Sequence, residues 1–431
     1  MKKNFNTILI SGLALFSMFF GAGNLIFPPT LGLKAGDSFI PATIGFLISS
    51  VGIVLLSAIA TIKSGGSIES IAGKVNKKFA TVFGTIIILA IGPLLAIPRT
   101  AATTYEIVQG TILPGLNPIV SSIVFFAVVL FFVLYPKSII DSLGKILTPA
   151  LLAVLGMILI KGILNPIGYP AETNIKSPFS SSFIEGYQTM DALAALIFTS
   201  IISRGFINKG ITDKKEIVKS TIYASLIAGI GLSIVYSGLL YIGSTMSGLG
   251  LDNLSRVELL ILATEKILGN FGKLALSVAI TLACLTTAIG LTSTVGDYFE
   301  KLTHGKIKAF YFIIASTIFS AYLSISGVDN IISFAGSILS ILYPIAIVLV
   351  VLNLFPGVFK NTATFKGAVT GAFITTILQF LSNYNITALN FINEFGKNYP
   401  NLNSFIWIVP AILMAFIFTI ISRLYYGKYI K

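Results

Sequence analysis

The chain has 431 residues, of which 55% belong to the apolar set AVILMFWYC and only 10% are charged. Soluble domains carry about 25% charged residues; at a mean hydropathy of +0.93 this chain lacks the polar surface to coat a water-soluble fold. A soluble enzyme, a disordered tail and a disulfide-stapled domain are excluded, and the formal charge of +13 must be read against membrane spans before any acidic partner is considered.

A helix crosses the roughly 30 Å hydrocarbon core with about 20 apolar residues. In chain order, charge-free stretches of this kind occupy 7–33, 38–62, 79–98, 107–136, 220–251, 274–296, 309–328, 330–359, 367–393 and 398–422. Two weaker stretches lie between them. Residues 146–160 are flanked by Lys145 and Lys161, whose long stems can snorkel to the interfaces. Residues 177–203 carry Glu185 and Asp191 inside an otherwise apolar run. The pattern predicts an all-α polytopic membrane protein with twelve transmembrane helices. The alternation of barrel strands is missing. Lys2 and Lys3 make a basic start, but the first apolar run is longer than a signal peptide's and no small-residue cleavage site bounds it.

With the N-terminus placed in the cytoplasm, 21 basic residues fall on the inner side and 8 elsewhere, and the acidic residues divide 6 and 10. The net charge is then +15 inside and −2 across the rest. This positive-inside bias predicts cytoplasmic N- and C-termini and a multi-pass protein of the cytoplasmic membrane.

Uniformly apolar helices only span; function belongs where the pattern breaks. Segment 1 breaks at Phe20-Gly21-Ala22-Gly23-Asn24, with Pro28 and Pro29 following, and segment 6 breaks around Tyr187-Gln188-Thr189-Met190-Asp191. These segments hold matching places in two five-span halves, residues 5–165 and 177–355. Five spans per half force the second half to run inverted, a transporter pattern with discontinuous helices 1 and 6 meeting at the midplane. Two extra C-terminal helices, 11 and 12 over 364–425, fall outside the repeat. The whole is read as a single transmembrane domain. At such a break the glycines permit close ligand approach. Freed N–H groups at the outer half-helix suit a carboxylate, and freed carbonyls at the inner half-helix suit a cation. Small-residue helix packing is the competing account of Gly21-x-Gly23.

The sequence resembles the bacterial branched-chain amino acid carriers, the leucine/isoleucine/valine:cation symporter family. The resemblance rests on FFGAGNLIFPP at 19–29, IGPLLAIPRTAA at 91–102, EGYQTMDALAAL at 185–196 and ACLTTAIGLTS at 283–293, in family order. It implies a leucine-transporter-type fold and uptake of leucine, isoleucine and valine driven by Na⁺ or H⁺, with no other cofactor. By the same resemblance the backbone of Gly21, Ala22 and Gly23, beside Asn24, holds the substrate carboxylate. The amino group is met around Phe19, Tyr187 and Met190, and the apolar side chain by Met190 and Phe198. Tyr105 reaches the substrate from segment 3. The spacing A-x-x-[ST]-[ST] of the wider fold's sodium site matches Ala283, Thr286 and Thr287. Its remaining ligands would be the carbonyls of Ser17 and Phe20, with Ala283 also acting through its carbonyl.

Each of these residues has a plainer reading. Threonines in membrane helices commonly bond their own helix carbonyls, and Met190 suits ordinary core packing. Asp191 can pair with Arg99, cap the broken helix, exchange protons or face the substrate. Glu185 suits a solvated helix start. Arg99 and Glu106, seven residues apart on one helix face, read as a structural ion pair.

Other features carry no chemistry. Gly66 to Gly73 is too long a gap for a phosphate loop, and Val75 follows Lys74 where Ser or Thr is needed. His304, the sole histidine, lies in a Lys-rich turn, which argues against a zinc site. Cys284, the sole cysteine, reads as a buried thiol, and Trp407 as an interfacial anchor. The basic loop 204–219 reads as topology and anionic-lipid contact rather than nucleic-acid binding. A channel would need a repeated filter or charged ring. An intramembrane enzyme would need a second carboxylate beside Asp191 or a histidine at depth. The expected protein is a symporter, not an enzyme, with a carrier for another small neutral amino acid as the alternative.

Overall fold

The computed structural model describes residues 2–135, 138–208, 210–211, 213–384 and 386–426. Lys137, Lys209, Lys428 and Lys431, counted on the inner side from sequence, lie outside the described residues. Among the described residues the regular elements are helices only, as lipid demands of a backbone that must satisfy its own hydrogen bonds. The first half of the chain forms α1 (Lys2–Phe19), α2 (Ala22–Ala35), α3 (Phe39–Leu47), α4 (Ile53–Ser64), α5 (Ile68–Ala72), α6 (Lys77–Leu89), α7 (Ala96–Thr111), α8 (Pro118–Leu134) and α9 (Ser138–Leu164). The second half continues with α10 (Pro178–Glu185), α11 (Asp191–Asn208), α12 (Lys214–Ser244), α13 (Arg256–Leu302), α14 (Ala309–Ser324) and α15 (Val328–Leu354). The chain ends with α16 (Thr362–Ser382), α17 (Asn390–Asn398), α18 (Pro400–Asn403) and α19 (Ile408–Tyr426).

Among the described residues six helical stretches are long and apolar enough to cross a membrane: Gly23–Ser64, Lys77–Thr111, Lys214–Leu249, Arg256–Leu302, Val328–Leu354 and Thr362–Ser382. The outer surface is apolar in the way a bilayer requires. On α19, Val409, Ile412, Leu413, Phe416, Ile420 and Leu424 recur at helical spacing and are all exposed, as are Ile119, Val120, Ile123 and Val124 on α8. Water would not tolerate contiguous patches of that size; this is a multi-pass membrane protein.

The interior is organised around the two expected breaks. α1 stops at Phe19 and α2 resumes at Ala22; α10 stops at Glu185, and a tight turn over Gly186–Thr189 precedes α11. Both halves of the first broken helix pack on α12. On α2 the approach is backbone to backbone. A Cβ on Gly32 would lie 1.9 Å from the Leu240 carbonyl oxygen, and one on Gly243 would lie 2.0 Å from that of Pro29. Only glycine fits at either position. α1 reaches the same helix through Gly12, set against Ile227, and through Phe16, set against Gly231.

Several expected boundaries move, for one physical reason. Residues 99–106, an outer extension of span 79–98, belong to α7, which runs on to Thr111, so the span expected at 107–136 begins only at Pro118. Arg99, Thr100, Thr103 and Thr104 are buried against protein rather than exposed to lipid, so hydropathy misreads them. The span 274–296 is the middle of α13, whose charged first turns from Arg256 bend at Gly269 (φ 70, ψ −167). The spans 220–251, 367–393 and 398–422 likewise shift, to α12, α16 and α19; the last two are separated by α17 and α18.

Candidate functional site

At the first break Gly21 is extended (φ −109, ψ −171) and caps α2. Its N–H donates to Asn24 Oδ1 at 3.1 Å and to the Phe19 carbonyl at 3.0 Å. The next N–H groups, on Ala22 and Gly23, precede any carbonyl their own helix could offer, and they give this end a positive dipole. Gly21 and Gly23 differ in surroundings. A Cβ on Gly21 would meet nothing nearer than 3.7 Å, whereas one on Gly23 would lie 2.6 Å from Arg99 Nη2 and 3.1 Å from the Phe27 ring. Gly23 is therefore a glycine because Arg99 presses against it.

At the second break Met190 takes a left-handed conformation (φ 61), which costs a non-glycine residue about 1–2 kcal/mol. The turn is held by the Thr189 hydroxyl, which donates to the Gly186 carbonyl at 2.9 Å. Asp191 then opens α11 with its carboxylate turned to the first break. Its Oδ2 accepts from Asn24 Nδ2 at 2.7 Å and from the Tyr236 hydroxyl at 3.3 Å. Asn24 also hydrogen-bonds the Tyr236 hydroxyl. One amide thus ties the cap of α2 to the head of α11, and both Asn24 and Asp191 are buried.

Arg99 and Glu106 do not form the expected ion pair. Seven helical residues advance about 10 Å, and each side chain finds a freed backbone group instead. Arg99 Nη1 donates to the Gln188 carbonyl at 2.7 Å, while Glu106 Oε1 accepts the Val328 N–H at the start of α15 at 2.8 Å. Arg99 is also not ion-paired with Asp191 among the described residues. Its guanidinium carbon lies 5.4 Å from the centre of the Phe27 ring, and that of Arg256 lies 5.7 Å from it. Arg256 in turn binds Asp329 at 2.5 Å and Glu185 at 3.3 Å. Glu185 is accordingly half of an ion pair, not a free helix start.

Between the breaks, α7 and α13 lies a cavity of about 240 Å³, below the roughly 300–1,000 Å³ typical of drug-sized sites. Of the residues expected from sequence, Ser17, Phe19, Gly21, Asn24, Met190, Asp191, Phe198, Thr286 and Thr287 line it. Arg99, Thr100, Ala194 and Ile91 complete much of the wall, which continues along α13 to Gly290 and Thr294. Gly290, on the Leu302 side of Thr287, is the exposed residue of this wall. Thr286 Oγ1 donates to the Ala283 carbonyl at 2.9 Å, the helix-internal bond that threonine favours; its lone pairs stay free for a cation.

Five of the expected residues that the structure describes lie off this wall. The side chain of Ala22 lies outside the described residues, Gly23 is buried against Arg99 and Phe27, and Phe20 is buried, stacked on Phe16 with ring centres 5.1 Å apart. Ala283 presents no wall to the cavity. Tyr105 is half-buried on α7, beyond Thr100 toward Thr111. Tyr187 is buried and stacked on Tyr343 at 4.1 Å, and it borders a separate cavity of about 630 Å³ shared with Trp407 and Gln379. Sequence reasoning missed Tyr236 and Arg256 as members of these networks. A tyrosine in mid-span was the available signal, because a phenol hydroxyl at depth needs a partner.

The family model for branched-chain amino acid transport proteins matches residues 4–425. The chain belongs to that family. The branched-chain amino acid permease BraB of Bacillus subtilis is 36% identical over 427 residues, covering 96% of this chain and 94% of that one. The branched-chain amino acid transport system 2 carrier protein of Pseudomonas aeruginosa is 37% identical over 353 residues, covering 81% and 80%. Among solved structures, Mhp1, a nucleobase-cation-symport-1 family transporter, in a closed conformation with bromovinylhydantoin bound, aligns with a TM-score of 0.64 at 13% identity, over 97% of this chain and 92% of that one. MhsT in complex with L-phenylalanine aligns at 0.59 and 16% identity, over 94% and 98%. This member of the branched-chain amino acid transport family therefore has the leucine-transporter-type fold.

Proposed function

We propose that the protein imports leucine, isoleucine and valine across the cytoplasmic membrane by symport with Na⁺ or H⁺, by alternating access. The single observation that carries this reading is the small cavity at the meeting of two broken helices. It has apolar walls from Phe19, Met190, Ala194 and Phe198 and polar groups at Gly21, Asn24 and Asp191. In this reading twelve helices cross the bilayer, the halves 5–165 and 177–355 are inverted repeats, and both termini are cytoplasmic. The charge count supports the orientation. With the Leu302 end of α13 inside, the exposed Gly290 edge of the cavity would face the cytoplasm, and the Arg256 ion pairs at the other end of α13 would close the outside.

The N–H groups of Ala22 and Gly23, with that of Gly21 once it exchanges its bonds to Asn24 and Phe19, would receive the substrate carboxylate at the dipole end of α2. Na⁺ would sit among the carbonyls of Ser17, Phe20 and Ala283 and the hydroxyls of Thr286 and Thr287. Hard oxygen donors suit that ion, and two adjacent hydroxyls supply ligands without adding charge. Ser17, Thr286 and Thr287 sharing one wall supports this assignment. The experiment is radiolabelled leucine uptake into proteoliposomes under a sodium or a proton gradient, imposed one at a time. Saturable uptake that needs one of the gradients is expected. Non-saturating flux indifferent to both would overturn the carrier reading.

A further inference from the structure

Two opposite charges line the cavity, and among the described residues they are not in direct ion-pair contact with each other. Asp191 accepts from Asn24 and Tyr236, both on Oδ2. A carboxylate offers about four lone-pair sites, so acceptor capacity remains. Arg99 gives Nη1 to the Gln188 carbonyl at 2.7 Å, which leaves most of its five N–H donors. Its Nη2 lies against Gly23, beside the N–H groups that begin α2. A guanidinium and a carboxylate therefore both reach the cavity where the two breaks meet, the guanidinium against Gly23 and the carboxylate tied through Asn24 to the Gly21 end of α2. Both residues are buried, where an unmatched charge is costly.

We propose that Arg99 and Asp191 are specificity-determining residues that read the two charged ends of the substrate. Arg99 reinforces the α2 N-terminus at the α-carboxylate, and Asp191 accepts the α-ammonium. The inference rests on the amino acid transport reading of the same cavity and deepens it. The site is built for a zwitterion, and it selects against molecules that carry the branched chain with only one charged end. Asn24 and Tyr236 act as positioning residues for Asp191, and Gln188 does the same for Arg99 through its carbonyl.

The test uses the full-length protein in proteoliposomes, with radiolabelled leucine and two competitors. Isocaproate is leucine without the ammonium, and isoamylamine is leucine without the carboxylate. For the unaltered protein, each competitor should bind at least about 30-fold more weakly than leucine, the loss expected when a buried charge loses its partner. Asp191→Asn should weaken leucine strongly while leaving isocaproate little changed, so that the gap between those two collapses and the isoamylamine gap persists. Arg99→Gln should do the converse.

If both variants weaken all three ligands by one common factor, the residues are merely structural and the proposal fails. The competition with unaltered protein tests it without any variant: isocaproate or isoamylamine within twofold of leucine removes the corresponding half. The two readings fail differently. Unaltered protein that takes up no amino acid overturns the transport reading and this one with it. Leucine uptake with indifferent ends overturns only the role of Arg99 and Asp191.

Discussion

Gly23→Ala is the sharpest single perturbation this structure offers. The added methyl carbon would stand 2.6 Å from Arg99 Nη2 and 3.1 Å from the Phe27 ring. To reach ordinary contact the guanidinium must withdraw by roughly 0.8 Å. A long side chain free in solvent would do so at little cost. Arg99 is buried and is held by its 2.7 Å bond to the Gln188 carbonyl, so withdrawal stretches or breaks a charged hydrogen bond worth about 1.5–3 kcal/mol. If the arrangement at the second break is needed for binding, leucine affinity should fall about 10- to 150-fold. Gly21→Ala is the internal control, because its nearest protein atom is 3.7 Å away and its φ of −109 suits any residue. That variant should keep the thermal stability of the parent and lose uptake only by crowding the ligand. The assay is leucine binding and thermal unfolding of both variants in detergent, together with the Gly23→Ala/Arg99→Gln pair. The double variant should cost less than the two singles added together, because the clash has gone. Gly23→Ala with parental affinity and melting temperature, or strict additivity in the double variant, would refute the reasoning.

Replacing Thr286 and Thr287 together by Ala should abolish sodium stimulation of leucine binding; undiminished stimulation in a sodium titration counts against that ion site. Tyr236→Phe removes one of two donors to Asp191 Oδ2, and at about 0.5–1.5 kcal/mol per bond leucine affinity should drop roughly two- to tenfold, read by equilibrium binding. Arg256→Ala should barely move the melting temperature, since its partners Glu185 and Asp329 are partly solvated and such pairs contribute about 0–1 kcal/mol. It should instead raise labelling of a cysteine at Phe27 by a membrane-impermeant thiol reagent added outside, in a Cys284→Ser background. Unchanged labelling would show that Arg256 does not close that face.

The breaks were legible because they rest on local chemistry. Two glycines around Ala22, and a carboxylate and a tyrosine inside an apolar run, have no comfortable place in a plain spanning helix. What stayed hidden depends on partners far along the chain. Arg99 invited pairing with Glu106 on its own helix, yet the groups it meets come from Gln188 and Phe27, and Glu106 meets Val328. Tyr187 has the right position for a substrate contact and is taken instead by Tyr343. The ends of α7 and α13 were lost for a related reason: hydropathy measures what lipid would accept, and these polar residues face protein. Nine of the nineteen residues lining the cavity could be named in advance, but the tie from Asn24 to Asp191 and Tyr236 could not.

The glycine contacts along α12 have a mechanical consequence. A helix interrupted between Phe19 and Ala22 has no continuous ladder of its own to transmit force across the gap. α12 spans 31 residues without interruption and lies against both pieces, locked to α2 at Gly32 and Gly243 and to α1 at Gly12 and Gly231. It works as a splint on a fracture. The two pieces can part at the break only as far as this strut bends, so α1, α2 and α12 are mechanically one unit.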